Sequence, residues 1–252
     1  MYCQHIFKVF KFSRCAQTRI CTKSCLWSLV ASNQFFQHHC LHIHAIRMKS
    51  SVIAPAEPEV GYLKRVIKRV GWLDYSRSKL KRSAYILYEN AADRIQYSKF
   101  FKEFHMPDTF YSWFLVTELH VWMLMVRTMA EGEEGRFVRN NIIEAMWEDV
   151  STRVKKLEPT NSSEIKAQLQ ELSEQFQAAI IGYDEGLLSD DKILAGVVWR
   201  IFLQQHCSDP ENVECLVHYI RKQVKLFDEM IRDDILLSPD IKWIELPQKF
   251  GT

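Results

Sequence analysis

The densest cluster of potential metal ligands in this sequence lies near its N-terminus. Four histidines and one cysteine occur between residues 38 and 44, namely His38, His39, Cys40, His42 and His44. Imidazole nitrogen and thiolate sulfur are ligands that zinc and copper prefer. A closed structural site, however, normally takes its ligands from two separated elements, and this cluster lies in a segment that we interpret below as a targeting peptide. We therefore predict no functional metal site here.

Two further groups have the residue types of acid–base or metal chemistry, and both lie on predicted helices. Glu214 and His218 are four residues apart, whereas metal sites inside helical bundles use a Glu-x-x-His spacing. They also lie off the apolar stripe of their helix, so we expect a solvated face. His120 lies among aromatic residues, where a hydrogen-bonded core histidine is commoner than a metal ligand or a base.

An acidic and aromatic segment, GYDEGLLSDD, covers residues 182–191. It lacks the alternating ligands and the closing Glu of a calcium-binding EF-hand loop. Asp190 and Asp191 are good N-cap and first-turn residues for the helix that follows. We therefore expect the preceding helix to end at Gly182. A loop would follow it, in which Tyr183, Asp184 and Glu185 are available to a partner.

The sequence gives no positive sign of an enzyme or of a bound cofactor. No Ser-His-Asp arrangement, nucleophile elbow, P-loop or dinucleotide fingerprint is present. Cys207 and Cys215 flank a helix start and are expected to be inert thiols. The residues that could do chemistry are better explained by helix capping, solvation or burial.

The element around which the rest of the chain is organised is an apolar stretch at residues 110–129. Apolar residues occur nearly all round the predicted helix, which indicates burial on most sides. A membrane span needs roughly twenty apolar residues without charges at its centre. This stretch contains Glu118, His120 and Arg127. A core helix is therefore favoured over a membrane span.

Helical periodicity and helix end signals predict an all-α protein, a compact bundle of about six to eight helices. The predicted helices cover approximately residues 60–70, 76–92, 110–129, 136–154, 161–181, 189–206 and 210–231. Asp108 or Thr109 is expected to cap the apolar helix, and residues 132–135 to break the chain after it. Residues 56–252 form one helical domain, with an extended C-terminal tail after Arg232 that packs on the helices.

Charge divides the chain near residue 56. No Asp or Glu precedes Glu57, whereas seven Lys or Arg residues do. Subtracting these seven from the 33 basic residues leaves 26 against 31 acidic residues, so the rest of the chain has a net charge of −5. An acid-free N-terminus with scattered Lys, Arg and Ser resembles a mitochondrial transit peptide. We assign residues 1–55 to a disordered transit peptide and linker; an unrelated disordered N-terminus is the alternative.

Two predicted helices near the start of the helical domain have basic outer faces. The residues concerned are Lys64, Arg65, Lys68, Arg69, Lys79, Lys81 and Arg82. Such a face is able to bind phosphate, RNA or anionic lipid, but a solvated face is favoured here. No RNP-like or Gly-rich pattern accompanies it, so we predict no sequence-specific binding of nucleic acid.

Five segments, in order along the chain, resemble the ubiquinol–cytochrome c chaperone family, the assembly factors of mitochondrial complex III. They are MPDTFYSWFLVTELHVWMLMVR at 106–127, MWEDV at 146–150, AAIIGYDEGLLSDD at 178–191, the pair Trp199 and Arg200, and VHYIRKQ at 217–223. The resemblance extends from about Tyr75 to Asp233. The first fifty residues and the tail after Asp234 match nothing in that family.

The resemblance implies a non-enzymatic chaperone on the matrix side of the mitochondrial inner membrane, without a cofactor. Members of the family bind newly made cytochrome b, work with a small second assembly factor and act near the mitochondrial ribosome. A client made of apolar helices needs a partner surface rich in aromatic and Met side chains. The basic helices are expected to face ribosomal RNA or the inner-membrane surface.

Candidate residues for binding the client or a partner come from the segments that carry the resemblance. They are Trp113, Glu118, His120, Trp122, Arg127, Trp147, Glu148, Asp149, Tyr183, Asp184, Glu185, Asp190, Asp191 and Arg200. The alternative for the polar members is an internal network that fixes how the helices pack. Two other functions stay open: an adaptor that only tethers partners through its basic helices, and a helical metal-dependent oxidase.

Overall fold

The computed structural model describes residues 77–157, 162–207, 209–237 and 239–246. Eight α-helices and no strand occur in these ranges, which confirms the all-α prediction. The helices are α1 (Arg77–Asp93), α2 (Tyr97–Glu103), α3 (Phe110–Met129), α4 (Gly132–Leu157), α5 (Ser162–Leu188), α6 (Asp191–Ile201), α7 (Pro210–Glu229) and α8 (Arg232–Leu236). The predicted presequence, linker and helix at 60–70 lie outside the described residues.

Helix α3 is the centre of the fold. It contacts α1, α2, α4, α5 and α7, and every residue from Phe114 to Thr128 is buried. Burial on all sides explains why its sequence is apolar nearly all round. None of the helices in the described ranges is both long and apolar enough to cross a bilayer. The burial of Phe114 to Thr128 on all sides makes α3 a core helix, as the sequence predicted.

Local capping fixes where several helices begin. The Thr109 side chain accepts a hydrogen bond from the Ser112 backbone N–H at the start of α3. Asp190 caps α6 through the N–H of Ile193, and Asp209 caps α7 ahead of Pro210. These side chains satisfy backbone donors that have no partner within the helix. Thr109, as one of two candidates, and Asp190 were predicted as caps from the sequence.

Helix α5 does not end at Gly182, so the predicted loop at residues 182–188 is wrong. The helix continues to Leu188, because its last two turns pack against α6. A Cβ atom on Gly186 would lie 3.0 Å from the Cα of Leu194, so this glycine permits close approach of the two helices. Gly182 likewise faces α6, where a Cβ would lie 2.7 Å from the Ile201 side chain. Both glycines serve packing rather than chain termination.

The break after α3 is shorter than predicted. Helix α4 begins at Gly132 and not near Arg136. Gly132 has φ +70°, and this left-handed conformation, which glycine adopts without strain, reverses the chain. Gly135 lies in the first turn of α4, where a Cβ would lie 1.9 Å from the Thr128 carbonyl oxygen. The glycines therefore make a tight α3–α4 corner.

The end of the chain differs in two details from the prediction. Helix α6 ends at Ile201 rather than at His206, and Gln204 and Gln205 in the following turns have positive φ. The tail after Arg232 begins with the short helix α8 before it becomes extended. Residues 239–246, which we call the C-terminal strap, then lie across α1, α3 and α7.

Candidate functional site

Four of the predicted site residues meet inside the protein between α3 and α5. The indole Nε1 of Trp122 donates a hydrogen bond to Oδ1 of Asp184 over 2.8 Å. The ring of Tyr183 lies 5.0 Å from that of Trp122, and Glu118 lies one helical turn before Trp122. All four side chains are buried, with exposed fractions of 3% or less. We call this group the α3–α5 polar cluster.

Burial determines the ionisation of this cluster. Desolvation raises the pKa of Glu118 well above its ordinary value, because an ionised carboxylate is costly away from water. Desolvation, and then the charge of Glu118, raise the pKa of the Tyr183 phenol. Glu118 Oε1 and the Tyr183 hydroxyl have no hydrogen-bond partner among the described residues. Burial at this position therefore favours the neutral form of the Glu118 carboxyl.

His120 belongs to a different part of the core. Its Nδ1 lies 2.7 Å from the Val116 carbonyl oxygen and its Nε2 lies 2.8 Å from the Tyr219 hydroxyl oxygen. A carbonyl oxygen only accepts, so Nδ1 carries the proton and Tyr219 donates to Nε2. Burial lowers the pKa of His120 to about 4. The residue is a neutral, hydrogen-bonded core histidine, as predicted.

Arg127 acts as a cap for another helix. Its Nε donates to the Phe227 carbonyl oxygen over 2.7 Å, and its Nη2 donates to the Met230 carbonyl oxygen over 2.9 Å. Its Nη1 pairs with Glu131, which also lies 3.6 Å from Arg232. The guanidinium thus satisfies the last carbonyl groups of α7 and joins that helix to the end of α3.

A partly exposed cluster lies where α1 and α4 pack together. Tyr88 donates to Asp149 over 2.8 Å, and Arg153 forms an ion pair with Asp149 at 2.9 Å. The Arg153 guanidinium lies over the Trp113 ring, 4.2 Å from its centroid. The exposed Glu148 accepts from Tyr85. Desolvation, with the charges of nearby acids, raises the pKa of Tyr85 to about 12.

The third predicted tryptophan, Trp147, is half-buried between two rings. Its centroid lies 6.1 Å from that of Phe114 and 5.7 Å from that of Phe176. It therefore joins α3, α4 and α5, as a core aromatic residue does. The structure gives Trp147 a packing role and leaves it partly accessible.

The remaining acidic candidates and Arg200 lie on the surface. Glu185, Asp190, Asp191 and Arg200 are all exposed. Asp191 pairs with Arg221 of α7, which the sequence analysis did not single out. Arg221 also donates to three backbone carbonyl groups at the end of α5, those of Gly186, Leu187 and Ser189. No local signal identified Arg221, because its partners lie at least thirty residues away in sequence.

The basic face predicted on α1 is exposed. Lys79, Lys81 and Arg82 face solvent, and Lys81 pairs with Glu144 of α4 at 3.3 Å. The basic residues at 64–69 lie outside the described residues, as does the His38–His44 cluster. In the ranges that the structure describes, no three His, Cys, Asp or Glu side chains are arranged to hold a metal ion. Glu214 and His218 are both exposed, as expected for a solvated face.

The structure thus divides the predicted site among several places. Glu118, Trp122, Tyr183 and Asp184 come together in the interior, whereas His120 and Arg127 occupy separate buried positions. The candidates that are at least partly accessible lie mainly at the α1–α4 surface and around the junction of α5 and α6. They are Trp113, Trp147, Glu148, Asp149, Glu185, Asp190, Asp191 and Arg200. Burial shows which candidates are available to a partner without unfolding, a distinction that periodicity did not provide.

Comparison with known proteins gives a consistent result over most of the helical body. The family described as Ubiquinol-cytochrome C chaperone matches residues 102–242. The match continues into the tail after Asp234, for which the sequence alone predicted no resemblance. The chain is 50% identical over 192 residues to ubiquinol-cytochrome c reductase complex assembly factor 1 of Drosophila melanogaster, covering 75% of this chain and 74% of the relative. It is 40% identical over 198 residues to the Homo sapiens protein of the same name, covering 77% and 66%.

More distant relatives extend the comparison to fold. Protein CBP3, mitochondrial, of Saccharomyces cerevisiae is 33% identical over 134 residues, which cover 52% of this chain and 40% of that protein. The crystal structure of the Cbp3 homolog from Brucella abortus superposes with a TM-score of 0.59 at 16% identity, covering 75% of this chain and 99% of that one. The latter shows a shared fold. The family match spans more than half of the chain, so the protein belongs to the ubiquinol-cytochrome c chaperone family.

Proposed function

We propose that this protein is an assembly factor for mitochondrial ubiquinol–cytochrome c reductase, complex III. The observation that carries the proposal is the family match across α3 to α8, together with relatives named as assembly factors of that complex. The mitochondrial location is supported by the name of the yeast relative and by the transit-like composition of residues 1–55. The protein acts by binding and not by catalysis.

The proposed client is newly synthesised cytochrome b, bound on the matrix side of the inner membrane. The chaperone supports its synthesis, stability and assembly, together with a small second assembly factor and near the mitochondrial ribosome. Accessible aromatic and charged side chains at the α1–α4 surface and the α5–α6 junction supply the contacts. The buried candidates act indirectly, since the Trp122–Asp184 hydrogen bond fixes how α3 and α5 pack.

Deleting the gene and assaying the respiratory complexes tests this function. We expect loss of assembled complex III and rapid turnover of newly made cytochrome b, while complexes that lack cytochrome b are unaffected. Affinity purification from mitochondria, with cross-linking and mass spectrometry, should recover cytochrome b and the second factor. Normal complex III in the deletion strain contradicts the proposal.

A matched pair of surface variants on α5 tests the contact surface. Glu185 and Glu174 are both exposed on this helix, and only Glu185 is a candidate contact. Glu185→Lys should reduce co-purification of cytochrome b, because it reverses charge at the proposed surface. Glu174→Lys should leave it unchanged. Equal co-purification with both variants removes the α5–α6 junction from the contact surface.

A second candidate function is an adaptor that only tethers partners to the ribosome or the inner-membrane surface. The exposed basic face of α1 favours it, since clustered Lys and Arg attract RNA and anionic lipid. Reversing the charges of Lys64, Lys68, Lys79 and Lys81 separates the two functions. A tether loses function completely, whereas a chaperone still co-purifies with its client.

A further inference from the structure

The C-terminal strap is an extended segment whose backbone is hydrogen-bonded by a single side chain, that of Gln223. Nε2 of Gln223 on α7 donates to the Lys242 carbonyl oxygen over 3.3 Å. Oε1 of Gln223 accepts from the Ile244 N–H over 2.9 Å. The amide therefore pairs with two positions of the strap that are two residues apart, as a neighbouring strand does in a sheet. This recognition depends on an extended backbone and not on the side chains of the occupant.

One indole anchors the strap in the groove. The ring of Trp243 lies 4.7 Å from that of His120 and 5.3 Å from that of Phe227, both edge-to-face. Its Nε1 donates to the Asn90 carbonyl oxygen over 3.0 Å. Two residues earlier, Ile241 is 1% exposed. The groove thus binds a flat aromatic ring with one hydrogen-bond donor at the position of Trp243. Two residues earlier, at the position of Ile241, it binds an aliphatic side chain.

Besides these contacts, Nδ2 of Asn90 donates to the Pro239 carbonyl oxygen over 3.3 Å. The two ion pairs of the strap, Arg94–Asp240 at 2.6 Å and Lys99–Glu245 at 3.5 Å, are exposed and therefore weak. A cleft of about 50 Å³ remains between the strap and Phe100 of α2.

We propose that the groove beneath the C-terminal strap is a docking site for an extended polypeptide, and that the strap is its internal, displaceable occupant. The external occupant is an extended segment of a partner polypeptide that carries an indole at the position of Trp243 and an aliphatic residue at that of Ile241. The strap itself shows that the groove binds a peptide of this chemistry. Identifying the partner as a client of the chaperone rests on the proposed function; the binding itself does not.

Peptide binding to the purified full-length protein tests the inference. The probe is a fluorescent peptide with the strap sequence PDIKWIEL, followed by anisotropy. The internal strap competes at a high effective concentration, so Trp243→Ala should bind the peptide at least about tenfold more tightly than the unaltered chain. Lys242→Ala, which changes an exposed strap side chain, should behave as the unaltered chain. A peptide with Ala in place of Trp should not bind.

A second substitution identifies the groove as the binding site. Adding Gln223→Ala to Trp243→Ala should remove the gain in affinity, because the two backbone hydrogen bonds are lost. Circular dichroism checks that each variant is folded. Equal affinity of the unaltered chain and the folded Trp243→Ala variant overturns the proposal, as does equal binding of the Ala peptide.

Hydrogen exchange supplies a test without any substitution. In the unaltered protein, excess unlabelled peptide should accelerate exchange of the Ile244 amide, since the strap is displaced, while the amides in the middle of α7 are unaffected. Displacement is contradicted if the Ile244 amide exchanges only through global unfolding and its exchange rate does not change when the peptide is added. Neither measurement reports on complex III, so this inference and the proposed function fail separately.

Discussion

The Nε1 of Trp122 donates to Oδ1 of Asp184 over 2.8 Å, where both side chains are buried between α3 and α5. This hydrogen bond joins residues 62 positions apart and sets the rotation of one helix relative to the other. An apolar interface permits several rotations of similar packing energy, whereas a buried donor and acceptor permit few. The cluster therefore specifies the packing of the helices that carry the exposed candidate contacts.

Replacing the donor tests this role. Trp122→Phe keeps an aromatic ring and removes the hydrogen bond, so Asp184 loses a buried donor. We expect the free energy of unfolding, measured with urea, to fall by about 1–3 kcal/mol. Trp199 provides the control, since its exposed indole donates to the Cys207 carbonyl oxygen. Trp199→Phe should cost less than about 1 kcal/mol.

Glu118 should make the protein less stable as pH rises. Its pKa in the folded protein is raised above the ordinary value of 4.5, so the folded state binds more protons than the unfolded state above that pH. Stability then falls with increasing pH, by up to about 1.4 kcal/mol per pH unit, until the folded pKa is reached. Glu118→Gln removes this term. The variant's stability relative to the unaltered protein, measured in urea titrations, should therefore increase as the pH rises above 4.5. A constant difference contradicts the assignment.

His120 should have the opposite effect in acid. Burial lowers its pKa from 6.5 to about 4, so the unfolded state binds the extra proton between these values. Stability should therefore fall as pH decreases from 6.5 to about 4, by up to about 1.4 kcal/mol per pH unit. His120→Leu abolishes this pH dependence. The stability of the variant relative to the unaltered protein should therefore rise as the pH is lowered from 6.5 to about 4. Tyr219→Phe leaves the His120 imidazole in place, so the free energy of unfolding of this variant should still depend on pH in this range.

Arg221 should depend on its planar guanidinium. It donates to the carbonyl oxygens of Leu187 and Ser189 and to the carboxylate of Asp191, a geometry that a lysine does not reproduce. Arg221→Lys should lower the free energy of unfolding by about 1–3 kcal/mol and speed hydrogen exchange at the end of α5. Arg94→Lys, at an exposed ion pair, should cost less than about 1 kcal/mol.

Two glycines in the same region should respond oppositely to alanine. Gly186→Ala places a Cβ 2.9 Å from the Leu194 Cδ1 and 3.0 Å from its Cα, so α5 and α6 must separate. We expect a loss of about 1–3 kcal/mol. Gly196 on α6 has nothing within 4 Å of an added Cβ. Gly196→Ala should stabilise the helix by up to about 1 kcal/mol, and thermal unfolding of both variants measures the difference.

Local physics made much of this fold predictable. Capping by Thr109, Asp190 and Asp209 involves backbone groups within three residues, so the sequence alone placed the starts of α3, α6 and α7. The apolar composition of residues 110–129 likewise determined a fully buried helix, because a helix without a polar face has no side to present to water. The all-α class, the central helix and the core role of His120 followed from these signals.

Only the tertiary structure decided which distant groups meet. Residues 182–188, predicted to form a loop, are helical because α6 packs against them. The sequence alone indicates a helix end at Gly182, whereas the structure shows that this glycine makes room for α6. Arg221 meets its carbonyl partners about thirty residues away, and Trp243 meets Asn90 across 153 residues. Such contacts depend on how the helices are placed in space. Hydrophobic periodicity shows which face of a helix is buried, but not which other helix packs against that face. The sequence therefore determined the helices and their buried sides. The packing of the helices determined which residues form the α3–α5 polar cluster, the contacts of Arg221 with the end of α5, and the groove that holds the strap.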